Sequence, residues 1–319
     1  MGETMRAIVQ DGPGGPEALY ETTIDRPVPL PTEVLVRVHA TSVNPVDWKT
    51  RAGSGMAARF DDGGPFVLGW DVSGVVEEVG FGVTRFREGD EVYGMPRFPH
   101  PARTYAGFVT APSRHLARRP AGLDHAHAAA VPLVGLTAWQ ALVETADLRE
   151  GQRVLVHAAA GGVGHVAVQL AKARGAHVIG TASTGKHEFL RELGADELID
   201  YRTTDFAETV RDVDVVLDLV GGDYSTRSIP TLRPGGLLLT IPSGAAEAAT
   251  RAAAEAGVSA TGLLVEPDRA GLEELTALIE AGRLRVEVET VLPLESAAEA
   301  HRLGEAGRTR GKIVLAVDH

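Results

Sequence analysis

One short segment constrains the fold more than any other, because it joins an apolar strand to a helix through a turn rich in glycine. The segment Val154–Gln169 reads VLVHAAAGGVGHVAVQ, and one alanine and two glycines of its turn stand in an A-x-G-x-x-G spacing. Such glycines let the backbone approach a pyrophosphate, and the following helix offers free N–H groups and a positive dipole end. A glycine turn without a ligand is the alternative, but strand, turn and helix in register predict a dinucleotide site. The predicted contacts in this turn are Ala159, Gly161, Gly162, Val163 and Gly164.

The rest of the chain shows two different patterns of strands and helices. Beyond the turn, apolar strands such as His177–Thr181 and Val213–Leu219 alternate with helical segments, which is typical of a parallel βαβ sheet. The first 120 residues instead contain short strands such as Glu33–Ala40 and Val72–Val79, separated by glycine and proline. That spacing favours a barrel or a sandwich. The sequence therefore predicts an α/β protein with a doubly wound parallel sheet and a β-rich second domain.

Composition narrows the class of protein further. A chain of 319 residues is long enough for about two domains. It contains no cysteine, which excludes a disulfide framework, a thiolate nucleophile and a zinc site built on sulfur. The net charge of −12 argues against nonspecific nucleic-acid binding. No apolar run of about eighteen residues is present and the first residues lack a signal-peptide pattern, so we expect no membrane partner and a cytoplasmic location.

The strand after the turn bears on the choice of dinucleotide. Proteins that prefer NAD usually carry Asp or Glu at the end of this strand to bind the ribose 2′-hydroxyl, and His177–Thr181 is followed by no such residue. Ser183 can donate a hydrogen bond and Lys186 supplies a positive charge. The alternative is that Ser183 caps the next helix and Lys186 is a solvated residue of its first turn. A lysine in a first turn opposes the helix dipole, which favours a role in binding the 2′-phosphate of NADP(H).

Further motifs occur in a fixed order along nearly the whole chain. They are Ser42–Arg51 (SVNPVDWKTR), Leu68–Gly94, Ala130–Leu142 (AVPLVGLTAWQAL), Leu193–Tyr201 (LGADELIDY), Asp214–Gly221 (DVVLDLVG), Leu232–Gly236 (LRPGG) and Gly307–Leu315 (GRTRGKIVL). Together with the glycine turn, this set resembles the zeta-crystallin-like quinone oxidoreductases, a zinc-independent branch of the medium-chain dehydrogenase/reductase superfamily.

The resemblance implies a domain arrangement. Residues 1–122 and 263–319 would form a GroES-like catalytic domain, residues 123–262 an inserted Rossmann NADP-binding domain, and the active site would lie in the cleft between them. This arrangement explains why the strand Lys312–Val317 follows the last helix. A homodimer is also implied, for which Ser259–Val265 would be a plausible edge strand.

The resemblance also implies cofactor contacts outside the glycine turn. Tyr201 matches a position beside the adenosine phosphate, and Thr137 matches one near the nicotinamide. Arg308 matches the basic residue before the closing strand, with Arg310 as the alternative. Ser243, after a predicted strand of the same domain, completes the predicted NADP(H) site.

Three residues are the predicted catalytic groups. Asn44 matches the active-site asparagine of the family, whereas Lys49 stands where bacterial relatives often have tyrosine. Hydride attack on a quinone or enone places negative charge on the carbonyl oxygen, which Asn44 and Lys49 could stabilise as hydrogen-bond donors. Lys49 could also donate the proton. As alternatives, Asn44 shapes the turn before Pro45, Lys49 is solvated, and Asp47 orients Lys49 or holds the loop backbone.

Zinc alcohol dehydrogenases share the implied architecture, but their ligand pattern is missing. They have a cysteine in the loop near Asn44, a four-cysteine lobe and a G-H-E motif, and the last reads Gly69–Asp71 (GWD) here. His39, His100 and His115 are not spaced like a ligand set. The resemblance therefore implies an enzyme that works without a metal.

Three functions follow from the sequence. The first is an NADPH-dependent oxidoreductase that transfers hydride to a small-molecule quinone or α,β-unsaturated carbonyl compound. The second is an enoyl reductase acting on polyketide or acyl thioesters, since such reductases share the architecture. The third is a non-catalytic protein that binds NADPH as a sensor or structural component.

Overall fold

A computed structural model gives the fold and describes residues 2–60, 65–242, 244 and 246–318. The chain divides into two compact units. The first consists of Met1–Leu136, Glu266–Gly282 and Val286–His319, and the second of Thr137–Val265 and Arg283–Arg285. The second unit is thus almost continuous in sequence, and the first is assembled from segments on both sides of it.

The elements are numbered along the chain. The strands are β1 (Thr4–Gln10), β2 (Tyr20–Asp25), β3 (Glu33–Val43), β4 (Phe66–Val67), β5 (Val72–Val79), β6 (Glu91–Gly94), β7 (Phe108–Pro112), β8 (Leu116–Arg118), β9 (Arg153–Val156), β10 (His177–Thr181), β11 (Glu197–Ile199), β12 (Val213–Asp218), β13 (Leu232–Thr240), β14 (Ser259–Gly262), β15 (Val288–Pro293) and β16 (Lys312–Ala316). The helices are α1 (Pro45–Arg51), α2 (His125–Ala129), α3 (Pro132–Trp139), α4 (Gly162–Ala173), α5 (His187–Glu192), α6 (Phe206–Thr209), α7 (Asp223–Ser228), α8 (Ala246–Glu255), α9 (Arg269–Glu280) and α10 (Ala297–Glu305), with Gln140–Thr145 continuing α3 as a π-helical segment. No helix in the described part of the chain is both long and apolar enough to cross a membrane.

The first unit is organised around strand β3. It lies within a seven-stranded sheet of order β15-β16-β3-β5-β6-β8, and β7 also pairs with it. Strand β5 runs along one edge of β3, so β7 and β16 must share the other edge, where β7 pairs with Glu33–Arg37 and β16 with Ala40–Val43. Nearly every residue of β3 is buried, as expected for a strand rich in valine with neighbours on both edges.

The second unit contains a six-stranded sheet of order β11-β10-β9-β12-β13-β14, and every neighbouring pair is parallel. The chain moves outward from β9 to β11 on one side, then crosses to β12 and moves outward to β14 on the other. Ligands of such sheets bind at the carboxyl ends of the strands where this order reverses. The predicted fold class, a doubly wound parallel sheet with a β-rich domain, is confirmed, and the glycine turn lies at the carboxyl end of β9.

The boundary between the units differs from the sequence-based boundary at residues 122 and 123. The first unit extends to Leu136, and so includes α2 and the first turn of α3. The backbone N–H of Leu133 donates a 2.8 Å hydrogen bond to the Asp71 carboxylate. Gly135 packs so closely on Leu275 that a Cβ at this position would lie 2.8 Å from the leucine Cδ1. These contacts tie the start of α3 to the first unit, and the sequence pattern does not reveal them.

A Leu155→Ala substitution tests the packing of the parallel sheet. Leu155 lies in the middle of β9, is fully buried, and belongs to the core formed with Ile179, Val216 and Leu238. We expect its truncation to lower the free energy of unfolding by about 2–5 kcal/mol. Urea unfolding measures the loss, and Val220→Ala in the same unit, at a residue 44% exposed, is the control, with an effect within about 0.5 kcal/mol. Equal effects of the two substitutions would contradict the assignment.

Candidate active site

Strand register brings three polar side chains together inside the first unit. Ile313 of β16 pairs with Val43 of β3, so Lys312 comes next to Asn44 one position further along. Ala40 of β3 pairs with Ser73 of β5, and the same register carried two residues further brings Asp71 to the end of β3. The ends of three strands therefore bring an amide, an ammonium and a carboxylate to one place.

The Asn44 side chain is held at both ends of its amide. Its Nδ2 donates a 2.7 Å hydrogen bond to Asp71 Oδ2, and its Oδ1 accepts a bond from Lys312 Nζ. A lysine can only donate and a carboxylate can only accept, so the two partners define which end of the amide is which. Lys312 also donates to the Val43 carbonyl at 3.0 Å. The Asn44 side chain is 0% exposed, so it is a fixed internal group in this structure.

The Asp71 carboxylate connects this amide to the rest of the unit. Its Oδ2 also accepts a 2.5 Å bond from the Ser42 hydroxyl, and its Oδ1 accepts the bond from the N–H of Leu133 in α3. Lys312 Nζ lies 3.7 Å from Oδ2. Burial lowers the pKa of Lys312, and the carboxylates of Asp71 and Asp47 oppose this effect. The pair is thus a buried ion pair, whose carboxylate also accepts three hydrogen bonds.

Asp47 holds the backbone of the same loop. One carboxylate oxygen accepts a 2.7 Å bond from the N–H of Asn44, which begins helix α1. The other oxygen, Oδ1, is buried without a hydrogen-bond partner among the described residues. Burial raises the pKa of Asp47, and the nearby Asp71 carboxylate adds to the effect. Lys49, in contrast, is exposed on α1. Of the two predicted alternatives for Asp47, the geometry supports the one in which it holds the loop.

A second buried chain of hydrogen bonds lies beside this cluster. Arg51 donates to His301 Nδ1 at 3.0 Å and to the Glu305 carboxylate at 2.6 Å. Because an arginine only donates, Nδ1 is the acceptor, and Nε2–H of the neutral ring donates to the Tyr105 hydroxyl at 3.2 Å. Burial and the carboxylates of Asp47 and Asp71 hold the pKa of Tyr105 well above its usual value. This chain connects the interior of the unit to the partly exposed Glu305.

In the second unit, the glycine turn has the shape that a pyrophosphate needs. A Cβ on Gly164 would lie 2.4 Å from the Ala158 carbonyl oxygen, so only glycine fits between the turn and α4. Helix α4 begins at Gly162 with Gly161 as its N-cap, and no side chain caps it. The N–H groups of its first turn are therefore uncovered by a side chain and can bind an anion. Ala159 is buried, and its N–H donates to the Thr181 carbonyl at 3.0 Å.

The loop after β10 carries the predicted determinants of cofactor choice. Ser183 and Lys186 are both partly buried there, and the Lys186 N–H donates to the Ser183 carbonyl at 2.9 Å. The structure adds a carboxylate that the sequence pattern did not place at this strand end. Asp200, just after β11, accepts hydrogen bonds from the Thr184 N–H at 2.8 Å and from the Thr184 hydroxyl. The hydroxyl bond, with backbone bonds from Arg202 and Thr184, lowers the pKa of Asp200 to about 2.

The other predicted cofactor contacts of the second unit lie in different settings. Tyr201 is 46% exposed, and the Arg202 guanidinium lies 5.7 Å from the centre of its ring. Thr137 is almost fully buried in α3. Ser243 lies outside the described residues.

The basic pair before the closing strand belongs to the first unit. Arg308 is exposed in the loop between α10 and β16. Arg310 forms an ion pair with Glu287, and its N–H donates to Glu289 at 3.0 Å. Because Arg310 is engaged in this way, Arg308 remains the predicted cofactor contact of the two.

No group of three or more histidine, aspartate or glutamate side chains in the described part of the chain is arranged to hold a metal ion. Trp70, at the position of the histidine in the G-H-E motif, packs edge-on against Phe60 and Phe98, and its indole N–H donates to the His100 carbonyl at 2.8 Å. Activity without zinc remains a prediction.

Two family models match the chain. Residues 30–121 match the alcohol dehydrogenase GroES-like domain, and residues 193–315 match a zinc-binding dehydrogenase model. The 2-haloacrylate reductase of Burkholderia sp is 36% identical, over 95% of this chain and 96% of that protein. The chain belongs to the medium-chain dehydrogenase/reductase superfamily. Its relatives of the quinone oxidoreductase type place it on that branch, and it is an oxidoreductase that uses a nicotinamide cofactor.

Further relatives cover the chain nearly from end to end. The mitochondrial NAD(P)H oxidoreductase RTN4IP1 of Danio rerio is 32% identical, over 90% of this chain and 84% of that protein. The solved quinone oxidoreductase of Coxiella burnetii is 39% identical with a TM-score of 0.95, covering 99% of this chain and 100% of that one. The solved CurK enoyl reductase is 29% identical with a TM-score of 0.89, covering 99% of each chain.

Sequence reasoning missed several residues of these clusters. Asp71 and Lys312 lie inside motifs of the family resemblance, as does Asp200, but neither these residues nor Tyr105 and His301 were predicted as site residues. A charged residue directly before an apolar strand is the signal that could have found the first two, because the ends of buried strands rarely hold an unpaired charge.

The buried His301 makes stability depend on pH. Burial, with the Arg51 charge, lowers the pKa of His301 to about 3, below the usual 6.5 of the unfolded chain. The neutral ring therefore stabilises the fold fully above pH 6.5, and this contribution is lost as the pH falls toward 3. The expected slope is about 1.4 kcal/mol per pH unit.

The difference in unfolding free energy between wild type and His301→Asn isolates this slope, because the other titrating groups contribute equally to both proteins. The asparagine carbonyl can still accept from Arg51 but does not titrate. Urea unfolding between pH 6 and 4.5 should show the stability difference narrowing as the pH falls. A difference that stays constant over this range would show that His301 does not titrate as described.

Proposed function

We propose that the chain is an NADPH-dependent reductase that transfers hydride to a quinone or to an α,β-unsaturated carbonyl compound. The observation that carries this proposal is the full-length similarity to a solved quinone oxidoreductase, together with a glycine turn in which only glycine fits at Gly164. A relative named for a 2-haloacrylate supports the second acceptor class, since that compound has a carbon–carbon double bond conjugated to a carboxyl group.

The protein's own groups position the reactants and stabilise charge. A bound nicotinamide would supply the hydride, and the protein would have to stabilise the negative charge on the acceptor oxygen. Asn44 remains the proposed donor to this oxygen: one N–H of its amide is used by Asp71, and the other has no partner among the described residues. Because Asn44 is fully buried, an acceptor can reach it only if neighbouring side chains move. Lys49, exposed on α1, is the proposed source of the proton.

The similarity to a solved enoyl reductase favours a second candidate. In that function the acceptor is the double bond of an acyl thioester. The chemistry at the double bond is the same, so the glycine turn and the Asn44 cluster suit both functions, and the acceptor itself has to be tested.

A panel of acceptors separates these functions. We expect the protein to oxidise NADPH with quinones or 2-alkenals, and a strong chelator should leave the rate unchanged. The decrease in nicotinamide absorbance is the measurement, with NADH, simple ketones and enoyl thioesters in parallel. Turnover with enoyl thioesters alone would assign the second function. Bound NADPH with no turnover on any acceptor would contradict both and favour a non-catalytic binder.

NADPH is the proposed cofactor because Ser183 and Lys186 share one loop and can bind a 2′-phosphate. The ionised Asp200 carboxylate opposes NADPH binding. It accepts a hydrogen bond from Thr184 in the same loop, and there it would repel the negative 2′-phosphate. The preference for NADPH is therefore set by the balance between Lys186 and Asp200.

An Asp200→Asn substitution tests this balance. Removing the charge should lower the KM for NADPH by about 5-fold and leave the KM for NADH nearly unchanged. Glu208→Gln, which removes one exposed charge from the neighbouring α6, is the matched control. If Asp200 instead binds a ribose hydroxyl of NADH, the same substitution will raise the KM for NADH, and the proposal of NADPH would fall.

We further propose a homodimer in the cytoplasm. Strand β14 lies at one edge of the parallel sheet, where a second copy could extend the sheet. The absence of cysteine fits a reducing compartment. Light scattering would distinguish a single chain of 33.6 kDa from a particle of twice that mass.

A further inference from the structure

His157 is a fully buried histidine that stands between strand β9 and the glycine turn. Both of its ring nitrogens are engaged. Nδ1 lies 3.1 Å from the Thr181 hydroxyl, and Nε2 lies 2.9 Å from the Ser228 hydroxyl. A histidine with two specific partners at this place has a defined orientation.

The partners also define where the protons lie. The Ser228 hydroxyl donates to the Tyr224 carbonyl at 2.6 Å, so it must accept from His157, and Nε2 carries the proton. Nδ1 of the neutral ring is then an acceptor, and the Thr181 hydroxyl donates to it. Burial lowers the pKa of His157 to about 4, so the ring is neutral at physiological pH.

The Thr181 hydroxyl, oriented in this way, can accept from the turn itself. The Ala158 N–H lies 3.3 Å from Thr181 Oγ1. Ala158 has a φ of +48°, in the left-handed region that a residue with a side chain rarely adopts. Its carbonyl accepts from the Gly161 N–H at 2.9 Å and packs against Gly164. The conformation of Ala158 therefore sets the approach to the first turn of α4.

Two aromatic rings pack against the imidazole of His157. The centres of the Phe206 and Tyr224 rings lie 4.5 Å and 5.2 Å from that of His157. The Arg227 guanidinium lies 5.0 Å from the Phe206 ring centre. Residues of α6 and α7 thus fix the orientation of the imidazole. The imidazole in turn contacts the glycine turn through the Thr181 hydroxyl.

We propose that His157 is a positioning residue for the nicotinamide dinucleotide. Through Thr181 it holds Ala158 in its left-handed conformation and keeps the N–H groups at the start of α4 aligned for the pyrophosphate. This role rests on the cofactor and does not depend on whether the acceptor is a quinone, an enone or a thioester.

Two substitutions that each keep one arm of the imidazole test the proposal. His157→Asn places a carbonyl oxygen near the Nδ1 position and preserves the acceptor for Thr181. His157→Gln places an N–H near the Nε2 position and preserves the donor to Ser228. Both remove the ring, so they share the loss of aromatic packing. Titration with NADPH and with NADH, without any acceptor, gives the dissociation constants, and thermal unfolding without cofactor gives the stabilities.

We expect the asparagine variant to bind NADPH within about 2-fold of wild type and the glutamine variant to bind it about 10-fold more weakly, at comparable thermal stability. Equal affinities of the two variants, whether both weakened or both intact, would overturn the proposal and leave His157 a packing residue. Wild type that binds neither dinucleotide would overturn it as well. Binding without turnover on any acceptor would remove the proposed function and leave this inference standing.

Thr181 provides a second pair of variants if neither histidine variant folds. Thr181→Ser keeps the hydroxyl, and Thr181→Val removes it with little change of shape. The serine variant should bind NADPH like wild type, and the valine variant should bind about as weakly as His157→Gln. Equal binding by the serine and valine variants would contradict a role that passes through the hydroxyl.

Discussion

The buried ion pair between Asp71 and Lys312 is the constraint on which the first unit depends. Asp71 accepts from the end of β3 and from the start of α3, and Lys312 closes the cluster from β16. The Asn44 amide lies between the two charges and takes its orientation from both. Removing either partner would leave an uncompensated charge in the interior, which is far more costly than the pair is stabilising. The cluster therefore determines how four segments of the chain meet.

Each unit contains a buried histidine whose two ring nitrogens are both hydrogen-bonded. In each, a neutral buried histidine carries its proton on Nε2, and the hydrogen bonds of a neighbouring side chain define this position of the proton. His301 takes its orientation from Arg51, and His157 takes its orientation from the Ser228 hydroxyl, which donates to a carbonyl. A directed chain of this kind selects one arrangement of side chains, whereas apolar packing alone tolerates several.

The parts of the fold that could be predicted are those encoded locally. The glycine turn, the apolar strands around it and the helix that follows are contiguous, so period and spacing were enough to predict the parallel sheet. The Asp71–Lys312 pair joins residues far apart in sequence, and only the register of β3 with its two neighbours brings them together. Asp200 reaches the loop after β10 from the neighbouring strand for the same reason. The hydrogen bond from the Leu133 N–H to Asp71 likewise joins residues far apart in sequence, and no local sequence pattern predicts it.

The shared edge of β3 has a consequence for how the chain is made. The first half of this edge pairs with β7, which precedes the second unit in the sequence. The second half pairs with β16, which is synthesised only after the whole second unit. The parallel sheet is nearly continuous in sequence and can form while the ribosome is still working. The β3–β16 contact has a very large sequence separation and forms only after nearly everything else has been translated. Until then, the second half of this edge of β3 lacks the strand that pairs with it in the folded unit.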